Sequence, residues 1–157
     1  MDELDAWSSL VAVYQSVLHD VVRVLEDDAG MDSGVFSALA YLARAEPRGR
    51  MRLHDLVELM HPRYSQPGLS RLVQRMEAEG LVERRADPAD GRATALQMTR
   101  TGRTRFERAD AIYADAVRAH FGRHLPAVEA RTLQRTLDGV LRARTTSGSP
   151  SPTVPTR

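Results

Sequence analysis

The chain contains no cysteine among its 157 residues. Disulfide bonds, thiol catalysis and cysteine-based redox sensing are therefore excluded, and a cytoplasmic location is the natural expectation. Long apolar runs are absent as well: the longest are far shorter than a membrane span, and the N-terminal residues are acidic, unlike a basic signal sequence. We therefore expect no association with membranes.

Motifs of the common enzyme classes are also missing. The sequence has no glycine-rich phosphate loop, no serine-elbow pattern and no convincing pair of carboxylates. We therefore predict a protein that is not an enzyme and that needs no cofactor.

Lysine is absent too, so arginine supplies all of the positive side-chain charge, and its distribution is uneven. Residues 1–43 contain eight acidic residues and one arginine, whereas residues 44–108 contain fourteen arginines and nine acidic residues. Such a basic middle third beside an acidic N-terminal part is expected of a nucleic-acid-binding surface joined to another region.

The most informative pattern lies between Tyr64 and Gly102. Ser65 can cap a helix that ends at Gly80, and the helix has a regularly spaced apolar face and a polar, cationic outer face. The apolar face consists of Leu69, Leu72, Val73 and Met76. Two short β-like runs follow, Leu81–Arg85 and Thr94–Met98, joined by a turn-rich loop. A helix for the major groove and a basic hairpin for phosphates or the minor groove together suit a reader of duplex DNA.

The flanking segments predict further helices. We expect a long N-terminal helix to about residue 28, a second helix from about 33 to 45, a short strand at 51–53, a third helix at 54–60, a fifth from Thr99 to about 121, and a last at 125–143. The first helix carries apolar residues on more than one flank, which favours dimerisation over a purely intramolecular core. The segment from Thr145, rich in Ser, Thr and Pro, is predicted to be disordered.

Up to about Arg144 the chain resembles the MarR family of bacterial winged-helix regulators. The residues that carry the resemblance are Leu69-Ser70-Arg71-Leu72-Val73, Met76-Glu77, Gly80-Leu81-Val82-Glu83-Arg84-Arg85, Asp87-Pro88, Asp90-Gly91-Arg92-Ala93 and Met98-Thr99-Arg100-Thr101-Gly102. The resemblance implies a mainly α fold with a small β-hairpin wing (α+β). It divides the chain into a dimerisation helix at 1–30, a winged helix-turn-helix at 31–100, dimerisation helices at 101–144 and a disordered tail at 145–157. It also implies a homodimer that binds a pseudo-palindromic operator in double-stranded DNA.

The resemblance assigns roles to individual residues. The DNA-contacting set it implies is Ser65, Gln66, Pro67, Ser70, Arg71, Gln74, Arg75, Arg84, Arg85, Asp90 and Arg92. Arg71 is the first choice for a major-groove contact because its forked guanidinium can pair with guanine or clamp a phosphate. Arg92 would enter the minor groove at the wing tip, held by Asp90, while Arg84 and Arg85 would contact phosphates.

A small-molecule effector is a further implication, because many relatives bind an aromatic or phenolic acid between the dimer part and the DNA lobe. The candidate ligand-binding residues are Tyr14, His19, Arg23, Phe36, Tyr41 and Tyr113. The function implied is a repressor that is relieved by such a ligand. The competing interpretations are a winged-helix dimer that binds protein, and a metal-responsive regulator.

Two histidine clusters raise the question of metal binding. His54, Glu58 and His61 are spaced by four and three residues, and His120 and His124 by four. Zinc usually needs three or four convergent ligands, His61 precedes a proline, and a glycine separates the second pair. We therefore predict structural or exposed histidines and no metal site.

Overall fold

The computed structural model describes residues 2–45, 49–61, 63–87 and 93–146, without the side chains of residues 145 and 146. The predicted fold class is confirmed: the described part of the chain is mainly helical, with a small antiparallel sheet. The helices are α1 (Glu3–Ala29), α2 (Ser33–Arg44), α3 (Leu53–Met60), α4 (Gln66–Ala78), α5 (Arg100–His120) and α6 (Ala127–Thr146), with a short 3-10 helix at Gly122–His124. The strands are β1 (Arg50–Arg52), β2 (Val82–Ala86) and β3 (Thr94–Met98).

The chain divides into two compact units. Among the described residues, one unit comprises the chain up to Gly30 together with residues 111–146, and the other is Met31–Asp110. Helix α5 therefore contributes its first half to the second unit and its second half to the first. No helix in the described ranges is both long enough and apolar enough to cross a membrane.

The sheet has three strands in the order β1-β3-β2, all antiparallel. Strand β3 lies in the centre, where Arg50 pairs with Gln97 on one side and Val82 pairs with Met98 on the other. The predicted hairpin is thus confirmed, and the short strand lies at Arg50–Arg52, one residue earlier than expected.

The core of the Met31–Asp110 unit is formed by the inner faces of α2, α3, α4 and the sheet. Its fully buried side chains include Leu39, Leu42, Leu56, Leu69, Val73, Met76, Leu81 and Leu96. Phe36 stacks on Phe106 with ring centroids 5.6 Å apart, a separation typical of paired aromatic rings. These contacts fix the position of α4 within its unit.

The last helix differs from the sequence expectation at both ends. It begins at Ala127 because Leu125 is extended (φ −123°, ψ 105°), as expected of a residue that precedes a proline. It continues to Thr146, past the predicted end at residue 143 and into the first two residues of the predicted tail. The remainder of that tail, residues 147–157, lies outside the described residues.

Candidate nucleic-acid interface

Helix α4 begins and ends as local sequence chemistry requires. The Ser65 hydroxyl accepts a hydrogen bond from the Gly68 N–H at 3.2 Å, and Pro67 lies in the first turn, where a missing N–H is tolerated. At the other end Gly80 has φ +68°, and the Leu81 N–H donates to the Met76 carbonyl at 2.8 Å. This is the pattern of a Schellman C-cap.

The two faces of α4 have opposite environments. The apolar residues Leu69, Leu72, Val73 and Met76 are all buried. The residues of the predicted DNA-contacting set on this helix and its cap are all exposed, and all but Pro67 are polar: Ser65, Gln66, Pro67, Ser70, Arg71, Gln74 and Arg75. The predicted amphipathic helix is therefore confirmed, and its polar face is available to a ligand within the single chain.

Arg75 is joined to the start of α2. Its Nη2 lies 2.9 Å from Oδ1 of Asp32, the residue that caps α2 by accepting hydrogen bonds from the N–H groups of Gly34 and Val35. The ion pair adds a link between α2 and the exposed face of α4.

The two arginines of β2 are both paired with glutamates. Arg84 Nε donates to both carboxylate oxygens of Glu77 on α4, at 2.9 and 3.1 Å. Arg85 donates from Nε and Nη2 to Glu83 Oε1, at 3.0 and 2.8 Å. Both guanidiniums are exposed, so contact with a phosphate stays a prediction and would require them to share or exchange these partners.

The base of the wing is held by a backbone bond and an ion pair. The Asp87 N–H donates to the Ala93 carbonyl at 2.9 Å, and the buried Asp87 carboxylate accepts from Arg52 at the end of β1. Asp90 and Arg92, the predicted wing-tip pair, lie outside the described residues.

The wing is attached to α5 through Thr99, the residue that caps this helix. The Thr99 hydroxyl accepts from the Gly102 N–H at 2.9 Å and donates to the Gly80 carbonyl at 2.6 Å. The Thr99 N–H donates to the Leu81 carbonyl at 3.0 Å. One residue therefore connects the end of α4, the start of β2 and the start of α5.

The predicted effector residues have varied environments. Phe36 is buried in the stack on Phe106, whereas Tyr14, His19 and Arg23 are exposed and Tyr41 and Tyr113 are half-buried. Burial raises the pKa of the Tyr41 phenol, and the positive charge of Arg63 opposes this shift. Phe36 and Tyr41 belong to the Met31–Asp110 unit, and the other four belong to the other unit.

The histidines have ordinary polar partners. His54 Nε2 lies 3.1 Å from Glu58 Oε1 with both side chains exposed, and His120 Nδ1 lies 3.4 Å from Asp20 Oδ2. His61 follows the end of α3 in an extended conformation, so it does not continue the helical face of the other two. Across the described residues, no three His, Cys, Asp or Glu side chains form a group that could hold a metal ion.

Comparisons with known proteins cover α4 and the hairpin of β2 and β3. Residues 29–93 match the family model described as MarR family. Sco3205, a MarR family transcriptional regulator from Streptomyces coelicolor solved in complex with DNA, is similar with a TM-score of 0.78 and 27% identity, over 96% of this chain and 92% of that one. Over residues 29–93 the chain is thus similar to the MarR family. It has the winged-helix fold of these transcriptional regulators, as the resemblance in its sequence implied.

Other solved structures agree with this assignment. AbsC, another MarR family transcriptional regulator from Streptomyces coelicolor, has a TM-score of 0.77 and 25% identity, over 94% of this chain and 95% of that one. A mutant MarR from E. coli complexed with operator DNA has a TM-score of 0.67 and 21% identity, over 90% and 99%, and at that identity shows the shared fold. No curated protein matches the chain.

Proposed function

We propose that this protein is a MarR-family regulator that acts as a homodimeric repressor and binds a pseudo-palindromic operator. The observation that carries the proposal is the exposed polar face of α4, whose opposite face is buried in the winged-helix unit. A helix held in this way can enter a major groove without losing its own packing. Sco3205 and the E. coli protein, each solved with DNA, support the same use of the fold.

Exposed apolar side chains support the homodimer. In the single chain, the first half of α1 exposes Leu4, Trp7, Leu10, Val13 and Tyr14, and α6 exposes Val128 and Val140. Leu4 and Trp7 retain 70% and 63% of their accessible surface, which is unusual for large apolar residues that have no partner. A second copy would cover these residues, and two-fold symmetry would match a two-fold operator.

In this proposal the arginines of α4, β2 and the wing have different roles in the recognition of DNA. Arg71, exposed on α4, reads bases in the major groove, and Arg92 enters the minor groove from the wing with Asp90 as its partner. Arg84 and Arg85 contribute to phosphate binding. Base contacts specify a sequence, whereas phosphate and minor-groove contacts act across many sequences.

Selection of bound sites from random duplexes, with the purified full chain at fixed salt, tests the proposal. We expect enrichment of a pseudo-palindrome, and sedimentation analysis should show a dimer. Arg92→Ala should weaken binding to all duplexes, whereas Arg71→Ala should also change the preferred sequence by removing a contact worth ~1–3 kcal/mol. Unaltered affinity in both variants would contradict these roles.

The main competing function is a dimer that binds another protein through the same face. Such a module should show no saturable binding to duplex DNA, and no sequence should be enriched. A reporter gene placed behind the selected site distinguishes repression from activation.

Relief of repression by a small aromatic acid completes the proposal. Tyr41 supports it, because a half-buried phenol beside the charge of Arg63 can contact both the ring and the carboxylate of such a ligand. Ligand binding would favour a spacing of the two recognition helices that does not match successive major grooves, which lie roughly 34–36 Å apart. A panel of phenolic acids that neither raises the melting temperature nor weakens DNA binding would rule this part out.

A further inference from the structure

Asp32 occupies an unusual position between two helices of the winged-helix unit. One oxygen, Oδ1, accepts hydrogen bonds from the N–H groups of Gly34 at 2.9 Å and Val35 at 3.1 Å. The same oxygen lies 2.9 Å from Nη2 of Arg75. The cap of α2 is therefore also the anchor of an arginine on the exposed face of α4.

The junction around this pair is closely packed. A Cβ atom built on Gly34 would lie 2.1 Å from the Tyr64 hydroxyl oxygen, and one built on Gly68 would lie 3.9 Å from Tyr64 Cδ1. The Tyr64 ring thus lies against both the start of α2 and the first turn of α4. Burial and the charge of Asp32 raise the pKa of the Tyr64 phenol, and the positive charges of Arg63 and Arg75 partly oppose this shift. The phenol of Tyr64 therefore lies close to both members of the Asp32–Arg75 pair.

The ion pair is too exposed to matter much for stability. The side chains of Arg75 and Asp32 retain 46% and 45% of their accessible surface, and pairs of this kind contribute little to folding. The ion pair can nevertheless affect the orientation of the Arg75 guanidinium. The ion pair with Asp32 uses Nη2, and a guanidinium has five N–H donors in a rigid fork, so Arg75 can keep this partner and contact DNA at the same time.

We propose that Asp32 is a positioning residue for DNA recognition, which holds the Arg75 guanidinium in one orientation so that it discriminates between sequences. This inference rests on the proposed function of α4 as the recognition helix. Asp32 also places a negative charge beside the DNA-binding face, which disfavours binding to any duplex. Its contribution is therefore to sequence discrimination and not to total affinity.

The variant Asp32→Asn separates the two contacts of this side chain. Asparagine retains an amide oxygen and is a good N-cap, but it has no charge with which to hold Arg75. For each protein, dissociation constants are measured at one salt concentration for the selected site and for a scrambled duplex of the same composition. We expect their ratio to fall at least about fivefold, the low end of the discrimination that one forked side chain gives at a base pair, while affinity for the scrambled duplex does not fall. A smaller fall in the ratio overturns the proposal.

A double-mutant cycle identifies the partner. In an Arg75→Gln background, Asp32→Asn should cause no further fall in the ratio, because the guanidinium that it positions is gone. A fall of the same size in both backgrounds would mean that Asp32 acts through the fold, and would overturn the proposal. Asp32→Ser, which also caps, should reproduce the result of Asp32→Asn if that variant fails to fold.

Glu79→Gln is the matched control. Glu79 ends α4 and pairs with Arg105 at 3.1 Å, with 40% of each side chain exposed, so the substitution removes the same charge from a similar ion pair. Glu79→Gln should leave the ratio unchanged. An equal fall of the ratio in this control would show that removal of any carboxylate near α4 lowers sequence discrimination. If the wild-type protein fails to bind any duplex saturably, the proposed function fails; if it discriminates and Asp32→Asn discriminates equally well, only the positioning role fails.

Discussion

Gly102 is the position where one added methyl group should do the most damage to the winged-helix unit. It lies in the first turn of α5 and is buried against the backbone that leads from α4 into β2. An ideal Cβ on Gly102 would lie 2.0 Å from the carbonyl oxygen of Leu81 and 2.9 Å from its carbonyl carbon. Real Cβ atoms essentially never come within 3.0 Å of such atoms, so Gly102→Ala must move one backbone segment by roughly 1 Å.

The expected cost follows from three contributions. Overpacking at a rigid site costs about 1–3 kcal/mol. Movement of Leu81 also weakens its hydrogen bond from the Thr99 N–H, now 3.0 Å long, and a typical bond of this kind is worth about 1 kcal/mol. The helix preference of alanine over glycine offsets at most about 1 kcal/mol. We therefore expect a net loss of about 2 kcal/mol, which corresponds to a fall of about 4–8 °C in Tm for a chain of this size.

Urea unfolding followed by far-ultraviolet circular dichroism measures this loss. Protein concentration must be held constant, because the proposed self-association would make apparent stability depend on it. Gly139→Ala in α6 is the control, since nothing lies within 4 Å of a Cβ built there, and the same substitution should be neutral or slightly stabilising. If Gly102→Ala matches this control, the close approach of α5 to Leu81 is not a constraint and the reasoning is refuted.

Two further predictions concern the start of α4. Ser65→Ala should lower the free energy of unfolding by about 1 kcal/mol through loss of the cap on the Gly68 N–H, and Ser65→Asn should not; equal urea midpoints for the two variants would contradict the cap. The raised pKa of Tyr64 means that the unfolded chain loses its phenolic proton first as pH rises past 10.0, the ordinary value, so this contribution to stability is lost above that pH. Tyr64→Phe should therefore reduce the fall in urea midpoint between pH 8 and 11, and an unchanged fall would show that Tyr64 is not the group responsible.

Sequence analysis predicted the parts of the interface that depend on short-range patterns. The apolar spacing from Leu69 to Met76 defines the buried face of α4, and Ser65 and Gly80 limit its length through local hydrogen bonding and backbone conformation. The pairing of β2 with β3 follows from two short runs around a turn-rich loop. Each of these signals lies within a few residues of the structure that it specifies.

The ion pairs around α4 could not be predicted in the same way. Asp32 and Arg75 are far apart in sequence and meet only because α2 and α4 pack in one core. The Arg84–Glu77 pair likewise depends on how β2 lies beside α4. Periodicity reports which face of an element is buried, but it does not report which charged side chain on another element lies opposite. For this reason Arg84 was predicted as a phosphate contact without its glutamate partner.

The strand β1 shows a second limit of prediction from the sequence. Its three residues, Arg50–Arg52, are too few to show an alternating pattern, and two of them are charged. They form a strand because the free edge of β3 accepts them in antiparallel register. Tertiary pairing decides the structure here, and local propensity does not.

The salt dependence of binding to the selected duplex tests the central claim most directly. If the polar face of α4 and the arginines around it contact the DNA backbone, the logarithm of the association constant should fall linearly with the logarithm of salt concentration, by about 0.9 for each phosphate neutralised. We predict saturable binding with a steep slope of several such units, and a shallower slope for Arg92→Ala. Saturable binding with a flat salt dependence, or no saturable binding at low salt, would contradict the account.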